Sequence, residues 1–310
     1  MTSGIHDLVL SVPTEQLAAD LEPLPDGVEV VVWDMTGDAP RAHIDIVVPP
    51  YMNGATPYDA LASVGPRLVQ GQSIGYEGVE DKLPSGLVFA NAATVHETST
   101  AELAVGLILA AQRHIDDFAV DTRAGVWKPQ FAQSLADRRV LLIGYGGVGK
   151  AIAARLAPFE AALTAVARSA RDEDGMTVHA IDELDALLAD AEIVVLSLPG
   201  GEETRGILDA RTLALLPDRA LVVNVGRGSL IDTDALVAEV SSGRLRAALD
   251  VVDPEPLPEG HPLWGTPGVL ISPHVGGASS AMRPRIAALI TRQVERMLAG
   301  EEPANVVVRS

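Results

Sequence analysis

The stretch LLIGYGGVGKAIAARL, residues 141–156, constrains what this chain can fold into more than any other. The large apolar residues at 140–143 end abruptly in glycine, as a parallel strand covered on both faces does. Gly144-Tyr145-Gly146-Gly147-Val148-Gly149 then fits G-x-G-x-x-G. The first glycine permits a tight turn, the second lets the backbone approach a pyrophosphate, and the third lets the next helix pack closely on the strand. That helix, expected over residues 148–156, points its free N–H groups and positive dipole end back at the turn. Pro158 is expected to stop it, and residues 163–167 to form the returning strand. Strand, glycine turn, helix and strand in this order predict a dinucleotide-binding unit.

The end of the returning strand reports which dinucleotide. A free ribose 2′-hydroxyl usually meets an Asp or Glu about 20 residues beyond the glycines, whereas a 2′-phosphate requires that acid to be absent and an Arg to be near. Here Ala167 is followed by Arg168, Ser169 and Arg171, with no carboxylate before Asp172. Arg168 can make a bidentate, charge-assisted pair with a phosphate and Ser169 can add a hydrogen bond. The expectation is NADP(H) over NAD(H).

Composition narrows the partners. With 310 residues, 47% of them hydrophobic and 21% charged, the chain suits two soluble globular domains. The first fifteen residues lack a secretory signal pattern and no stretch approaches a membrane span, so a cytoplasmic protein without membrane contact is expected. No cysteine is present, which excludes disulfides, thiolate metal sites and a cysteine nucleophile. A net charge of −19 argues against nucleic acid and leaves any anion site dependent on local arginines and backbone donors. His96 and His114 show no ligand spacing, and no metal site is expected.

Residues 1–98 read as an α/β unit, with strands expected at 7–12, 28–33, 44–48, 68–70 and 87–90 and helical stretches at 14–21 and 58–64. The glycine-bearing loop GQSIGYEGVE, residues 71–80, offers backbone N–H groups to a ligand. Residues 101–118 read as one densely apolar helix, a buried connector near a domain boundary at Ser99. Strands at 193–198, 220–225, 247–251 and 269–272 continue a doubly wound parallel sheet. A last helix, Met282–Leu298, precedes an extended tail.

Three later strands run into ionisable residues: NVGRG gives Arg227, ALDVVDPEP gives Asp250 and Glu255, and SPHVGG gives His274. In an open parallel sheet the carboxyl ends of the strands line the ligand crevice, so these groups should converge. A guanidinium, a carboxylate and an imidazole suffice for reducing a 2-oxo acid. Arg227 would hold the substrate's carboxylate and carbonyl oxygen, His274 would donate the proton, and Glu255 would favour the protonated imidazole. Asp250 can equally be read as a buried structural acid.

With GYGGVG, LPGGEETRGIL from Leu198, NVGRGSLID from Asn224, ALDVVDPEPLP from Ala248 and SPHVGG from Ser272 in this order, the chain resembles the D-isomer-specific 2-hydroxyacid dehydrogenases. The resemblance places Arg227, Glu255 and His274 on the family's catalytic arginine, acid and histidine, and Asp250 on a supporting acid. It implies a Rossmann coenzyme domain over residues 99–274 and a smaller, flavodoxin-like α/β substrate domain from residues 1–98 and 275–310. Leu198, Pro199, Thr204, Asn224, Val225, Gly226, Asp250, Gly276 and Gly277 would join Gly144 to Gly149, Arg168, Ser169 and Arg171 as cofactor-binding residues. Ser73, Ile74 and Gly75 would offer N–H groups to the substrate carboxylate, and Tyr51 and Met52 would line its pocket. Hinge-like closure and a homodimer through the coenzyme domains are implied as well.

Departures from relatives narrow the substrate. Formate dehydrogenases carry glutamine where Glu255 stands, and phosphoglycerate dehydrogenases tend to carry a basic residue at the position of Gly71. A small unphosphorylated 2-oxo acid such as glyoxylate or hydroxypyruvate is the leading expectation. The alternatives are an NAD-linked dehydrogenase of another D-2-hydroxy acid, of phosphoglycerate or D-lactate type, and a nucleotide-sensing protein like the C-terminal-binding-protein corepressors.

Overall fold

The computed structural model describes residues 8–21, 23–51 and 56–310; the expectations for Asp7 and Met52 lie outside the described residues. Two compact units form, Met1–His96 with Ser280–Ser310, and Glu97–Ser279.

In the first unit β1 (Leu8–Val12), β2 (Val28–Val32), β3 (Ile46–Val47), β4 (Leu68–Gln70) and β5 (Val88–Ala90) run parallel in the order β2-β1-β3-β4-β5, the flavodoxin-like order. Helix α1 (Glu15–Asp20) begins where the Thr14 side chain accepts a hydrogen bond from the Leu17 N–H. The C-terminal helix, Met282–Leu298, buries Ile286, Leu289, Ile290 and Val294 with Leu8, Leu10, Ile46 and Leu68. The last strand, Val306–Arg309, pairs antiparallel with β5. The helical stretch expected at 58–64 is a 3₁₀ helix over residues 58–63.

The second unit opens with α2 (Glu97–Arg113) and α3 (Ile115–Ala124). Its sheet comprises β6 (Arg139–Ile143), β7 (Ala162–Ala167), β8 (Arg171–Glu173), β9 (Met176–Ala180), β10 (Ile193–Leu196), β11 (Leu221–Asn224), β12 (Arg246–Leu249) and β13 (Val269–Ile271). The order is β13-β12-β11-β10-β6-β7-β9-β8, all parallel except the edge pair β8–β9. Between β6 and β10 the winding reverses, which is the switch point where such sheets bind ligands. Successive residues of the central strands feed opposite cores: Leu141, Ile143, Val194 and Leu196 face one, Val140, Leu142, Ile193 and Val195 the other. Burial on both faces is why these strands are continuous apolar runs. Among the described residues no helix is long and apolar enough to cross a membrane.

Two features differ from expectation. The helix expected over 101–118 is broken at His114, whose φ of 54° lies in the left-handed region. In α2, Ala101, Ala104, Leu107 and Ile108 reach the core, whereas α3 buries no residue and leaves Ile115, Phe118 and Val120 exposed. Apolar density alone could not separate a core-facing helix from a solvent-facing one. The β8–β9 hairpin was not anticipated because Val178 is the one residue of β8 and β9 that is buried. Its signal is the dipeptide Asp174-Gly175, with φ of 53° and 79°, joining strands whose register pairs Glu173 with Met176. Such a two-residue connection demands left-handed residues.

Candidate active site

Each glycine of the turn after β6 answers to a different demand. Gly144 has φ 106°, and a Cβ there would meet the backbone of Ser197 at 3.0 Å. At Gly149 a Cβ would strike the Gly144 carbonyl oxygen at 2.1 Å, so helix α4 (Gly147–Leu156) can sit this close to β6 only without a side chain. Gly146 is exposed, has φ −90°, and a Cβ there would meet nothing within 4 Å. The chain's own packing does not require glycine at 146, whereas a pyrophosphate lying on the turn does. The residues present therefore fit a dinucleotide, with the N–H groups opening α4 to hold its phosphates. Ser197 beyond β10 donates from Oγ to the Gly144 carbonyl (3.0 Å) and closes the switch point.

Beyond β7 the two arginines part. Arg168 is 91% exposed and 3.9 Å from Glu203, and Ser169 is exposed beside it. Arg171, expected to hold the cofactor, is also engaged by protein: Nε donates to Glu173 (2.9 Å), Nη2 to the Tyr145 carbonyl (3.1 Å) and Nη1 to the Ser169 carbonyl (3.3 Å). Tyr145 itself is buried and meets the site through its backbone. Thr204 donates to the Pro199 carbonyl (2.9 Å), bracing the loop that follows half-buried Leu198.

The strand ends converge because the ladder continues past the strands. The Asp250 N–H donates to the Asn224 carbonyl (2.9 Å) and the His274 N–H to the Asp250 carbonyl (2.8 Å), tying the exits of β11, β12 and β13 together. Asn224, expected among the cofactor contacts, has no accessible surface; its amide donates to the Arg227 carbonyl (2.8 Å) and accepts from the Gly226 N–H (3.0 Å). Val225 and Gly226 are buried with it, and a Cβ at Gly226 would meet the Leu198 carbonyl oxygen at 2.7 Å. These three residues shape the turn that presents Arg227. Gly228 presses on the β12 loop so closely that a Cβ would lie 1.9 Å from the Val252 oxygen, a constraint the sequence did not announce.

Asp250 is 3% exposed, and its carboxylate accepts from Ser272 Oγ (2.6 Å), the Val275 N–H (2.9 Å) and the Gly276 N–H (2.8 Å). It builds the loop that carries His274, and Gly276 is needed there because a Cβ would stand 2.9 Å from that carboxylate. His274 has φ 52°, an uncommon conformation for a residue with a Cβ, and the loop's hydrogen bonds hold it there. Gly277 follows, half-buried.

Nδ1 of His274 lies 2.8 Å from Glu255 Oε2, while Glu255 Oε1 accepts from the Val252 N–H (3.0 Å). A carboxylate can only accept, so Nδ1 carries the proton and Nε2 is left for a ligand. The Glu255 hydrogen bond raises the His274 pKa against the opposing effects of burial and of the Arg227 charge. For Glu255 burial acts upward, but the His274 hydrogen bond, the Val252 N–H and the Arg227 charge outweigh it and hold the carboxyl below its usual range. Both partners are thus biased to their charged forms.

In the first unit the carbonyls of Gln72, Ser73 and Ile74 accept from His96 Nε2 (2.6 Å), the Ala92 N–H (2.8 Å) and the Asn91 amide (2.7 Å). In a trans peptide the N–H points opposite to the carbonyl, so the N–H groups of Ser73, Ile74 and Gly75 turn away from these partners. His96, whose spacing suits no ligand set, has a structural role: it shapes this turn and stacks on the Tyr51 ring, 5.6 Å between centroids. Among the described residues no cluster of three or more His, Cys, Asp or Glu could hold a metal ion.

Comparisons with known proteins bear on this geometry. The family model "D-isomer specific 2-hydroxyacid dehydrogenase, NAD binding domain" matches residues 105–276. An uncharacterized protein of Corynebacterium melassecola, named for the proB 3′ region, is 34% identical over 83% of this chain and 87% of its own length. A glyoxylate reductase of Pyrococcus horikoshii is 29% identical over 78% of this chain and 76% of its own. Among solved structures, the NADPH-dependent glyoxylate/hydroxypyruvate reductase of Sinorhizobium meliloti in complex with NADP and sulfate superimposes with a TM-score of 0.82 at 25% identity, covering 97% of this chain and 98% of that one.

Proposed function

The chain belongs to the D-isomer specific 2-hydroxyacid dehydrogenase family, and we propose that it reduces small, unphosphorylated 2-oxo acids of the glyoxylate and hydroxypyruvate type to D-2-hydroxy acids with NADPH. The observation that carries this reading is the His274–Glu255 pair, held at the strand exits with its free nitrogen available and the Arg227 charge beside it.

A nicotinamide dinucleotide held by the turn Gly144 to Gly149 and the N–H groups opening α4 would supply the hydride. Arg227 holds the substrate carboxylate and carbonyl oxygen with its planar fork, and its charge stabilises that oxygen as negative charge grows there. His274 transfers the proton from Nε2 to the oxygen, completing the hydroxyl. Glu255 keeps Nδ1 protonated, stabilises the imidazolium and fixes its orientation. In the reverse direction neutral His274 takes the proton back.

NADPH is favoured by Arg168 and Ser169 after β7 with no acid at Ala167, and by the description of the Sinorhizobium meliloti reductase as NADPH-dependent. The outward N–H groups of Ser73, Ile74 and Gly75 are proposed as a carboxylate-binding turn of the first unit. A homodimer through the second unit is proposed from α3 and the segment after it, where Trp127 is 94% and Phe131 106% exposed beside Val120 and Val126. Exposed apolar side chains of this size, close together in sequence, support a surface that another molecule covers.

The test is oxidation of NADPH and, separately, NADH with glyoxylate, hydroxypyruvate, pyruvate and phenylpyruvate. Turnover of a small 2-oxo acid, faster with NADPH, is expected. Faster turnover with NADH would overturn the cofactor assignment, and silence with every acid would overturn the reductase reading.

A further inference from the structure

The β8–β9 hairpin stands against the glycine turn and gathers charges that the proton-transfer chemistry does not use. Glu173 Oε1 accepts from Lys150 Nζ at 2.5 Å and Oε2 from Arg171 Nε at 2.9 Å. Lys150 lies in the first turns of α4, and its Nζ is also 3.8 Å from Asp174. Arg171 in turn bridges the Tyr145 carbonyl of the glycine turn and the Ser169 carbonyl beyond β7. One guanidinium therefore touches both loops between which the adenosine ribose is read in this fold. One carboxylate is shared between that guanidinium and an ammonium.

We infer that Glu173 is a specificity-determining residue that limits how strongly a 2′-phosphate on the dinucleotide is preferred. The inference rests on the proposal that the site accepts NADP(H). A phosphate held by Arg168 and Ser169 lies within range of Arg171, whose backbone-bridging position is next to Ser169. There the phosphate competes with the Glu173 carboxylate for the same cations and is repelled by it. The Lys150 and then the Arg171 hydrogen bond keep the carboxyl below its usual range, so it stays charged at neutral pH. An unphosphorylated ribose meets no such competition. Binding of the 2′-phosphate is therefore weaker than Arg168, Arg171 and Lys150 could jointly provide, and the enzyme retains use of both dinucleotides.

The experiment is calorimetric binding of adenosine 2′,5′-bisphosphate and of 5′-AMP to the full chain and to Glu173→Gln, an isosteric change on an exposed edge hairpin. Glu173→Gln should bind the bisphosphate about five- to tenfold more tightly, the scale of one partly exposed charge contact, with 5′-AMP within about twofold of wild type. Asp172→Asn removes a charge from the same hairpin, but its carboxylate accepts from Thr177 and touches neither cation, so the ratio of the two affinities should stay as in wild type. An unchanged or smaller ratio in Glu173→Gln, or an equal rise in Asp172→Asn, overturns the role of Glu173. Equal binding of the two nucleotides by wild type would instead overturn the NADP(H) reading on which it rests.

Discussion

His274 Nδ1 donates to Glu255 Oε2 across 2.8 Å, and the two groups hold each other charged: the imidazole's pKa is raised and the carboxyl's lowered. In the proposed reduction the imidazolium is the proton donor. Because the folded-state pKa lies above the ordinary imidazole value of about 6.5, the rate should fall with rising pH only as pH passes through that raised value, later than for a free imidazole. Glu255→Gln removes the charge that sustains the imidazolium. Its alkaline limb should shift to lower pH, and kcat at neutral pH should drop about ten- to a hundredfold. A pH profile of kcat/KM for both enzymes checks this; an unmoved limb would show that another group sets it.

The glycines of the nucleotide turn should separate into folding and binding residues. Gly149→Ala drives a Cβ to 2.1 Å from the Gly144 oxygen and should cost about 2–4 kcal/mol of stability or prevent folding. Gly146→Ala meets no neighbour, so its melting temperature should match wild type while dinucleotide affinity falls about tenfold or more. Thermal melting beside calorimetric titration distinguishes the two. Equal loss of stability in both variants would remove the argument that Gly146 serves a ligand.

That contrast shows what was legible in the sequence. The glycine turn, the parallel sheet and the meeting of Glu255 with His274 at the strand exits could be read because strands buried on both faces are continuous apolar runs and their exits in a parallel sheet lie side by side. The left-handed backbone of His274 could not, since it depends on a hydrogen bond to Asp250, distant in sequence, and the inward role of Asn224 could not, since it depends on the turn folding its amide back onto Gly226 and Arg227. Arg171 looked like a second phosphate ligand; only the hairpin, signalled weakly by Asp174-Gly175, shows that it is already bridged to Glu173, Tyr145 and Ser169. The break at His114 escaped because apolar content continues across it while burial does not.

In the proposed function Arg168 carries the dinucleotide choice. Arg168→Ala should raise the KM for NADPH about tenfold or more and leave that for NADH within about twofold, since the lost pair is a charge-assisted one to phosphate alone. The side chain is largely exposed, so the change should not alter folding. Parallel increases for both dinucleotides would assign Arg168 a general role.

The exposed face of α3 and the segment after it predicts an association. Replacing Trp127 and Phe131 together by serine should convert a dimer of twice 32.4 kDa into monomer in analytical ultracentrifugation. A wild-type chain that sediments as monomer at micromolar concentration would contradict the proposal.

The central claim is that His274 delivers the proton when a small 2-oxo acid is reduced by NADPH. Its most direct test is a single-turnover measurement of NADPH absorbance with glyoxylate, comparing wild type with His274→Ala at matched cofactor saturation. The account predicts rapid oxidation by wild type, a loss of about a hundred- to ten-thousandfold in the variant, and unchanged NADPH affinity. Oxidation by His274→Ala at the wild-type rate would contradict it.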